Sequence, residues 1–544
     1  MSIPSSVETN AECYPMSVLP HISRLYADYL AMPDAPAPVR SWYGSEPIGS
    51  NWIGREVAIP HANVLADALH RQSVSFGAGD PALQNIELLR SGARAVVTGQ
   101  QVGLFGGPLL TLLKAATAVA RAKEASAATG TPHVPIFWLA TEDHDLAEVD
   151  QVSLLSKHAV EVLRLGLHDA ANPVGGIAVG PGVTEILDQA SELLAYAPVC
   201  DLLRECYTAE ATLGLAFGRF MARLFAAHGL IVMDAAGPEF HALGRSVFRA
   251  AIERAAQLEA QLIARTQELE AAGYHAQVLV KPGTSMLFLI DEATGVRHIL
   301  RRAAADLWKA GPHTYSTAEL LAILEAHPER FSPNALLRPI FQDTILPTAA
   351  YIGGPAEIAY FAQSEVLYRN ILGRLTPVLP RFTATLLEPA IAAIMTKDEV
   401  SLEDVFEART VDALAHRLGA RAMPMEEKRK LAAVGNAMDS ELTALTDYLA
   451  AVDESLGRSA LVSASKMRYQ MNRLRRMAAT FEVQKQASLG KHAEAMILHL
   501  FPGAHPQERV LAGTYFLAQC GDGLIDRLVD EAASMCLGHS VVRV

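Results

Sequence analysis

A glycine-rich loop near residue 100 is the first part of this sequence whose residue types could do chemistry. It contains Gly99, Gly103, Gly106 and Gly107, and Lys114 lies within the first two turns of the predicted helix that follows. Glycines let a ligand approach the backbone, and a helix N-terminus attracts a carboxylate or phosphate. The loop matches neither GxxxxGK[ST] nor GxGxxG, so a tight strand-to-helix turn is the alternative. The candidate binding residues are Thr98, Gly99, Gln100, Gln101, Gly103, Phe105, Gly107 and Pro108, with Lys114 as a candidate catalytic residue.

An acidic cluster directly follows the apolar run 134–140. It consists of Glu142, Asp143, His144 and Asp145, which we take as candidate catalytic residues. Carboxylates and an imidazole can bind an amine, ligate a metal or transfer protons. The alternatives are helix N-capping by Asp143 or Asp145 and a surface salt-bridge cluster. With one histidine and no second pair of spaced ligands, the cluster does not predict a metal site.

A third group of polar residues surrounds a Gly-Gly-Pro loop. It adds amide, carboxylate and phenol groups to a strand–glycine–helix pattern, and a turn beside a half-buried helix face is the alternative. Arg381 could pair with a substrate carboxylate through two parallel hydrogen bonds, or form a structural ion pair. The candidate binding residues of this group are Gln342, Asp343, Tyr351, Gly353, Gly354, Pro355, Glu357, Tyr360 and Arg381.

The elements around these groups predict an α/β fold with a parallel sheet. An apolar strand at 93–97, a helix at 109–126 and a strand at 134–140 form a βαβ pattern, and strand, loop, helix and strand recur at 338–386. Ligands of such sheets collect at the carboxyl ends of the strands, so we expect the three groups to share one cleft.

The middle of the chain interrupts this alternation, and we interpret it as insertions on the sheet. Long alanine-rich helices are predicted at about 203–227 and 244–272, and MLFLIDEATGVRHIL has the pattern of a β-hairpin.

A different periodicity begins at about residue 425 and continues to 492. Apolar residues recur at steps of three and four, which is typical of coiled-coil helices. Gly457 is a plausible helix stop, so we favour an antiparallel hairpin over a single long helix. The helices either support a homodimer, which we favour, or form an intramolecular hairpin only.

Composition excludes some classes of function. The chain has 544 residues, a formal net charge of −13 and five cysteines without CxxC or zinc spacing. The acidic balance predicts no nucleic-acid partner, and the cysteines are interpreted as free thiols of a reducing compartment. No leader and no long apolar run is evident, so we predict a cytoplasmic protein without a membrane segment.

Five segments, in order, resemble signature blocks of the bacillithiol-biosynthesis cysteine-adding (BshC) family, from about residue 15 to the C-terminus. Leu110 stands where an aromatic residue is common, and Ala356 replaces a usual glycine. The five segments are TGQQVGLFGGPLLTLLKA, PIFWLATEDHDLAEVDQV, LRPIFQDTILPTAAYIGGPAEIAYFAQ, LPRFTATLLEP and LFPGAHPQERVL.

The resemblance implies a Rossmann-like core akin to nucleotidyltransferases and class I synthetases, with inserted connecting segments and a C-terminal α-helical coiled coil that supports a homodimer. We predict an N-terminal arm with the first half of the core at 1–150, inserted segments at 151–335, the second half of the core at 336–422, coiled-coil helices at 423–495, and a segment at 496–544 that packs back on the body.

The resemblance also implies a ligase that completes bacillithiol synthesis by joining the carboxyl group of cysteine to the amine of glucosaminyl malate. Amide formation from a free carboxylate needs activation, so ATP or ADP is expected, with Mg²⁺ only as its counter-ion. The nucleotide could lie in the core cleft or near 507–509. The alternatives are an adenylyltransferase acting on another small acid and a non-catalytic nucleotide-binding coiled-coil dimer.

Hypothetical roles follow from the chemistry of the side chains. The glycine loop and Lys114 would stabilise a phosphoryl or acyl oxyanion. His144 or Asp143 would take a proton from the attacking amine. Glu357 or Asp343 would hold an ammonium group or sugar hydroxyls.

Overall fold

The chain forms two compact units. A computed structural model describes residues 11–44, 52–168, 172–521, 523–534 and 536–544. The first unit, here the α/β unit, contains the described residues of Met1–Thr385 together with Glu508–Arg543. The second, here the helical unit, contains Leu386–Gln507 and Val544. Across the described residues, no helix combines the length and apolar character that crossing a membrane would require.

The strands and helices are numbered along the chain. The strands are β1 (Ala11–Tyr14), β2 (Arg94–Gln100), β3 (His133–Leu139), β4 (Gln151–Leu155), β5 (Val160–Arg164), β6 (Ile231–Asp234), β7 (Thr284–Ile290), β8 (Arg297–Ala304), β9 (Leu307–Ala310), β10 (His313–Tyr315), β11 (Phe331–Pro333), β12 (Thr348–Gly353), β13 (Val378–Pro380), β14 (Ala384–Leu387) and β15 (His539–Arg543). The helices are α1 (Arg24–Leu30), α2 (Ala37–Tyr43), α3 (Ala62–Phe76), α4 (Asp80–Arg90), α5 (Leu110–Thr129), α6 (Leu146–Val149), α7 (Val183–Leu193), α8 (Val199–Cys206), α9 (Leu213–Leu224), α10 (Pro238–Glu253), α11 (Ala255–Ala271), α12 (Thr317–Ala326), α13 (Arg338–Ile345), α14 (Pro355–Leu367), α15 (Pro389–Lys397), α16 (Leu402–Ala408), α17 (Val411–Ala422), α18 (Met425–Val452), α19 (Glu454–Lys485), α20 (Ala487–Leu500), α21 (Gln507–Val510), α22 (Gly513–Cys520) and α23 (Gly523–Ala533).

A five-stranded parallel sheet organises the α/β unit, which confirms the predicted fold class. Its strand order is β13-β12-β2-β3-β6, and every neighbouring pair is parallel. The chain adds β3 and β6 on one side of β2 and later adds β12 and β13 on the other side. The order therefore reverses between β2 and β12, and such a reversal opens a crevice at the carboxyl ends of the two strands.

Helix α5 connects β2 to β3 and packs on the sheet through small side chains. Ala118, Ala122 and Ala125 are buried against Val96 of β2 and Ile352 of β12. Alanine lets a helix approach a sheet closely, because close packing leaves no room for longer side chains. The N-terminus of α5 is thereby held beside the crevice.

The inserted region contains a second, antiparallel sheet of order β10-β9-β8-β7-β11. Strands β7 and β8 pair as an antiparallel hairpin, as predicted. The single helix predicted at 203–227 is wrong, because α8 ends at Cys206 and α9 begins at Leu213. Thr212 caps α9 by accepting a hydrogen bond from the backbone N–H of Leu215 at 3.2 Å, which makes it a helix start. The helix predicted at 244–272 is likewise two helices, α10 and α11.

The two ends of the α/β unit pair with each other. Strand β15 runs antiparallel to β1, and Cys13 and Cys536 form a disulfide with their Cα atoms 6.0 Å apart. The interpretation of all five cysteines as free thiols is therefore wrong for this pair, while Cys200, Cys206 and Cys520 form no disulfide among the described residues. The sequence could not reveal the pairing, because the two cysteines are 523 residues apart and meet only through the strand pair.

The helical unit is built around an antiparallel hairpin of α18 and α19, which confirms the favoured arrangement and makes the single long helix wrong. The turn lies at Asp453, whose side chain caps α19 by accepting hydrogen bonds from the N–H groups of Ser455 at 2.9 Å and Leu456 at 3.0 Å. Gly457 is not the stop. It lies inside α19, where a Cβ atom would come within 2.7 Å of Ala450 on α18.

Candidate functional site

Three adjoining cavities lie at the crevice between β2 and β12. The central cavity has a volume of about 320 Å³, the acidic cavity about 250 Å³ and the loop cavity about 170 Å³. The central cavity is lined by Gly99, Gln100, Gln101, Leu110, Lys114, Trp138, Ala140, Asp143, Arg338, Tyr351, Gly354, Pro355, Ala356, Glu357, Tyr360, Arg381 and Arg509. The acidic cavity is lined by Trp138, Leu139, Ala140, Glu142, Asp143, His144, Phe288, Arg297, Pro333, Asn334, Ala335 and Arg338. The loop cavity is lined by Gln100, Gln101, Gly103, Gly107, Pro108, Glu148, Val149, Gln151, Val152, Ser153, Arg509, Val510 and Ala512.

The parallel sheet thus brings residues of all three predicted groups to one cleft. Six of the predicted residues do not line any of these cavities: Thr98, Phe105, Asp145, Gln342, Asp343 and Gly353. Thr98 donates a hydrogen bond to the backbone carbonyl of Ile352 at 3.0 Å and so joins β2 to β12. Asp145 caps α6 by accepting from the N–H of Glu148 at 3.3 Å, which is the helix-capping alternative.

Lys114 has no donor left for a ligand. Its ammonium group donates to the carbonyl of Gly99 at 2.8 Å and to Gln100 Oε1 at 2.9 Å, and it forms an ion pair with Glu357. An ammonium group has three donors, so all are occupied. Burial lowers the pKa of Lys114, although the Glu357 carboxylate opposes this shift. In this structure the residue ties α5 to the ends of β2 and α14.

Glu357 is held by several donors at the start of α14. Its carboxylate accepts hydrogen bonds from the N–H of Gly354 at 2.8 Å and from the Tyr351 hydroxyl at 2.5 Å, besides its ion pair with Lys114. Burial raises the pKa of Glu357, but Lys114 and these hydrogen bonds outweigh burial and hold the pKa below its ordinary value. Glu357 is therefore a half-buried, fixed carboxylate.

Arg338 brings a guanidinium group to both the central and the acidic cavity. It donates to Gln342 Oε1 at 3.0 Å, to the Tyr360 hydroxyl at 3.0 Å and to the Tyr351 hydroxyl at 3.3 Å. No carboxylate within the described residues forms an ion pair with it. Since its hydrogen-bond partners are neutral groups, Arg338 is suited to bind an anion. Gln342 and Asp343 lie beneath it, joined by a hydrogen bond of 2.9 Å, and serve to position it.

Asp143 lines both the central and the acidic cavity. One carboxylate oxygen accepts from Gln101 Nε2 at 2.8 Å and the other from the backbone N–H of His144 at 2.8 Å. Each oxygen keeps a further lone pair, because an ionised carboxylate can accept about four hydrogen bonds. Asp143 is thus an oriented carboxylate that can still accept a proton or bind an ammonium group.

His144 is more exposed than Asp143, and one nitrogen of its ring contacts an arginine. Nδ1 lies 3.2 Å from Arg297 Nη1. An arginine can only donate, so Nδ1 accepts and a neutral ring carries its hydrogen on Nε2. Arg297 itself stacks on the Phe288 ring, with its guanidinium carbon 3.6 Å from the ring centre. In this arrangement neither ring nitrogen is available as a base, which favours Asp143 for that role.

Glu142 is held in the acidic cavity by a buried histidine of α10. His241 Nε2 lies 3.0 Å from Glu142 Oε1, and His241 Nδ1 lies 3.2 Å from the carbonyl of Gly237. Both ring nitrogens therefore face acceptors, which is the environment of an imidazolium. Burial lowers the pKa of His241, but Glu142 and the Gly237 carbonyl outweigh burial and raise the pKa above its ordinary value.

The His241–Glu142 pair is expected to make stability depend on pH. A histidine pKa that is raised by folding stabilises the folded state below the unfolded pKa of about 6.5, and this stabilisation is lost as pH rises through the folded pKa. His241→Asn should therefore lower the melting temperature more at pH 6 than at pH 9. Differential scanning calorimetry of both proteins at both pH values measures this, and an equal difference at the two values would contradict a charged pair.

The backbone of the glycine loop is engaged by the protein itself. Gly103 N–H donates to Gln101, Gly107 N–H to Leu104, and Leu109 N–H to Leu511 at 2.8 Å. Gly106 N–H lies 3.2 Å from both the carbonyl of Gly103 and the Tyr207 hydroxyl. The sequence predicted that the loop backbone binds an anion. These four amides already donate to protein acceptors, so they are not free to do so. Phe105 is buried in the loop with a φ of 52°, and Gly107, with a φ of 69°, lies where a side chain would be strained.

Arg381 forms the structural ion pair that was the alternative to substrate binding. Its guanidinium contacts both carboxylate oxygens of Glu508, at 3.0 and 2.5 Å, and each side chain is only 2% exposed. Arg381 lines the central cavity but has its charge compensated. Arg509, which follows Glu508 in the chain, lines both the central and the loop cavity.

Three arginines that line these cavities were not among the predicted site residues: Arg297, Arg338 and Arg509, although 507–509 was named as one possible nucleotide location. Two of them had a usable signal. Arg338 is the sole lysine or arginine in 337–363, and Arg509 is the sole one in 500–511. Arg297 carries no such signal, because it reaches the site from the inserted β7–β8 hairpin. Among the described residues, no group of three or more His, Cys, Asp or Glu side chains could hold a metal ion.

Comparisons with known proteins agree with this architecture. Residues 16–382 match the family model described as bacillithiol biosynthesis BshC, N-terminal Rossmann-like domain. Residues 384–544 match the BshC C-terminal coiled-coil domain.

Similar proteins share nearly the whole chain. A protein of Koribacter versatilis is 42% identical, covering 98% of this chain and 99% of its own. One of Solibacter usitatus is 37% identical with the same coverage, and one of Salinibacter ruber is 31% identical over the full length of both chains. All three carry the name "Putative cysteine ligase BshC". With both domains matched in order and relatives aligned from end to end, the chain belongs to the bacillithiol biosynthesis BshC family and is a ligase.

Proposed function

We propose that this ligase joins cysteine to glucosaminyl malate, the final step of bacillithiol synthesis. The amine nitrogen of the sugar forms a bond to the activated carboxyl carbon of cysteine. The bond from that carbon to the activated oxygen breaks, and the oxygen leaves with its phosphate group. The nitrogen then gives up a proton to a base of the enzyme.

The observation that carries this proposal is the placement of Asp143. Its carboxylate borders the central and the acidic cavity, and Gln101 and the N–H of His144 hold it from the protein side. A base must lie within hydrogen-bond reach of the proton that it takes, and an oriented carboxylate between two ligands meets this need. Arg338 borders the same two cavities and supplies positive charge for the carboxyl oxygens of cysteine.

We further propose that ATP supplies the activation and that Mg²⁺ accompanies it only as counter-ion. Arg338 and Arg509 fit a phosphate or carboxylate group, because neither has a carboxylate partner among the described residues. Lys114 and the amides of the glycine loop fit less well, since protein acceptors occupy them. We therefore assign anion binding to the two arginines. The cytoplasmic location and the absence of a nucleic-acid partner stay predictions.

The reaction is tested with the purified full-length protein, glucosaminyl malate, cysteine and Mg-ATP. We expect bacillithiol and an equal amount of AMP or ADP. Mass spectrometry measures both products. An adenylated product of another small acid would favour an adenylyltransferase. Intact ATP without any product would contradict the proposed activation.

We also propose a homodimer formed through the helical hairpin. Many large apolar side chains of α18 and α19 are more than half exposed, and a large exposed apolar area usually marks an interface. The second copy is the natural occupant, because coiled-coil helices associate through apolar side chains at these spacings. The exposed residues are Val434, Leu445, Tyr448, Val452, Leu461, Val462, Met467, Tyr469, Leu474, Met477 and Phe481.

Charges on this surface are expected to separate the dimer. The double variant Leu474→Glu/Phe481→Glu should be monomeric, because carboxylates resist burial in an apolar interface. Size-exclusion chromatography with light scattering measures the mass. Asn472→Asp, which adds a charge on the opposite side of α19 from Leu474 and Phe481, should stay dimeric. A wild-type monomer at micromolar concentration would contradict the proposal.

A further inference from the structure

Arg509 is delivered to the cleft by a short segment that is fixed on both sides. On one side, Glu508 pairs with Arg381 and accepts a hydrogen bond from the N–H of Ala384 at 3.1 Å. On the other side, Leu511 accepts from the N–H of Leu109 at 2.8 Å, and Ala512 donates to the carbonyl of Ser153 at 2.9 Å. The backbone on either side of Arg509 is therefore held in place at the cleft.

The Arg509 side chain is not used by this packing. Within the described part of the chain, no hydrogen bond or ion pair joins its guanidinium to an acceptor, although it borders the central and the loop cavity. Its neighbour Glu508 forms its ion pair with Arg381 and not with Arg509. A guanidinium with a fixed backbone and no protein acceptor is prepared to bind a carboxylate or a phosphate.

The loop cavity next to Arg509 suits a small, oxygen-rich group. Gln100 and Gln101 line it together with the central cavity, and Gln151 and Ser153 add further hydrogen-bonding side chains. Its volume of about 170 Å³ is roughly half that of the central cavity. Glu148 is the acidic residue of this cavity, and burial raises the pKa of its carboxyl group.

We infer that Arg509 binds a carboxylate of the malate part of the acceptor, which lies in the loop cavity while the sugar and its amine occupy the central cavity. The inference rests on the proposed function, because that function supplies a substrate with a dicarboxylate at one end and an amine at the other. In this assignment the two arginines have different roles. Arg509 binds the acceptor substrate, and Arg338 binds the carboxyl group of cysteine.

A substrate-truncation cycle tests this assignment. Arg509→Gln and wild type are each assayed with glucosaminyl malate and with methyl glucosaminide, which has the amine but no malate. With glucosaminyl malate, the variant should lose about 10- to 100-fold in kcat/KM, chiefly through KM, since a charged hydrogen bond is removed. With methyl glucosaminide, both proteins should have equal kcat/KM, and KM for cysteine should not change. Arg473→Gln, which removes an exposed arginine of α19, is the control for lost charge.

Binding of malate alone, measured by calorimetry, separates failure of this inference from failure of the proposed function. Wild type should bind malate at least about tenfold more tightly than Arg509→Gln, whether or not the protein turns over. Equal losses with both acceptors, or equal malate affinity of the two proteins, would overturn the role of Arg509. An inactive wild type that still binds malate through Arg509 would instead overturn the proposed reaction.

Discussion

Asp143→Asn is expected to reduce kcat for bacillithiol formation by about 10²- to 10⁴-fold, the usual contribution of a positioned general base. Asparagine has the same shape and can still accept one of the two hydrogen bonds from Gln101 and the His144 N–H, so the fold should be retained. It cannot take a proton at neutral pH. Steady-state kinetics with both substrates at saturation measures kcat, and the melting temperature reports folding.

Two neighbouring substitutions control for this result. Asp145→Asn removes an acidic group that caps α6, and it should leave kcat close to the wild-type value. His144→Gln should have a much smaller effect than Asp143→Asn, because Arg297 donates to Nδ1 and the ring is not available as a base. A kcat of Asp143→Asn within about twofold of wild type would remove Asp143 from the mechanism, and a larger loss at His144 would reverse the assignment.

Glu508→Ala is expected to destabilise the α/β unit by about 3–5 kcal/mol. The substitution leaves the Arg381 guanidinium buried without its partner, and an uncompensated buried charge costs about this much. It also leaves the N–H of Ala384 without its acceptor. All four tryptophans, Trp42, Trp52, Trp138 and Trp308, lie in the α/β unit. Tryptophan fluorescence during urea unfolding therefore follows this unit separately from the helical unit.

The double variant Arg381→Met/Glu508→Leu is the matched control. It removes both charges and keeps apolar volume, so it should recover much of the lost stability, because replacing a whole buried pair is often neutral. A loss below about 1 kcal/mol for Glu508→Ala would mean that the pair behaves like an exposed one. The recovery also separates stability from binding, because the double variant retains Arg509.

The candidate site was predictable where its residues follow strand ends. Gly99, Gln101, Asp143 and Glu357 all line the cleft, because a parallel sheet brings the carboxyl ends of its strands to one edge. The pattern behind this prediction is local: an apolar run, a glycine or acidic turn, and a helix. The α/β class and the hairpin of the helical unit followed from the same local periodicities.

Which of the predicted residues have protein partners was harder to predict than their positions. The structure pairs Lys114 with Glu357, and it pairs Arg381 with Glu508, which is the structural ion pair that the sequence left open. The amides of the glycine loop looked available, yet Leu511 and other groups accept from them. Asp145 and Gln342 proved to be a helix cap and a support for Arg338. For Lys114, Arg381 and the N–H of Leu109, the partner is a residue distant in sequence that packing brings close.

The sequence by itself determined the α/β class, the cleft at the strand ends, the helical hairpin and the family, because these depend on short-range patterns and ordered blocks. Tertiary structure alone decided which charged side chains form ion pairs with each other and which do not. Arg381 and Glu508 are 127 residues apart in the chain, and their pairing leaves Arg509 facing the cleft. Charge compensation depends on distances of a few ångströms between distant segments, and residue type and spacing do not encode those distances.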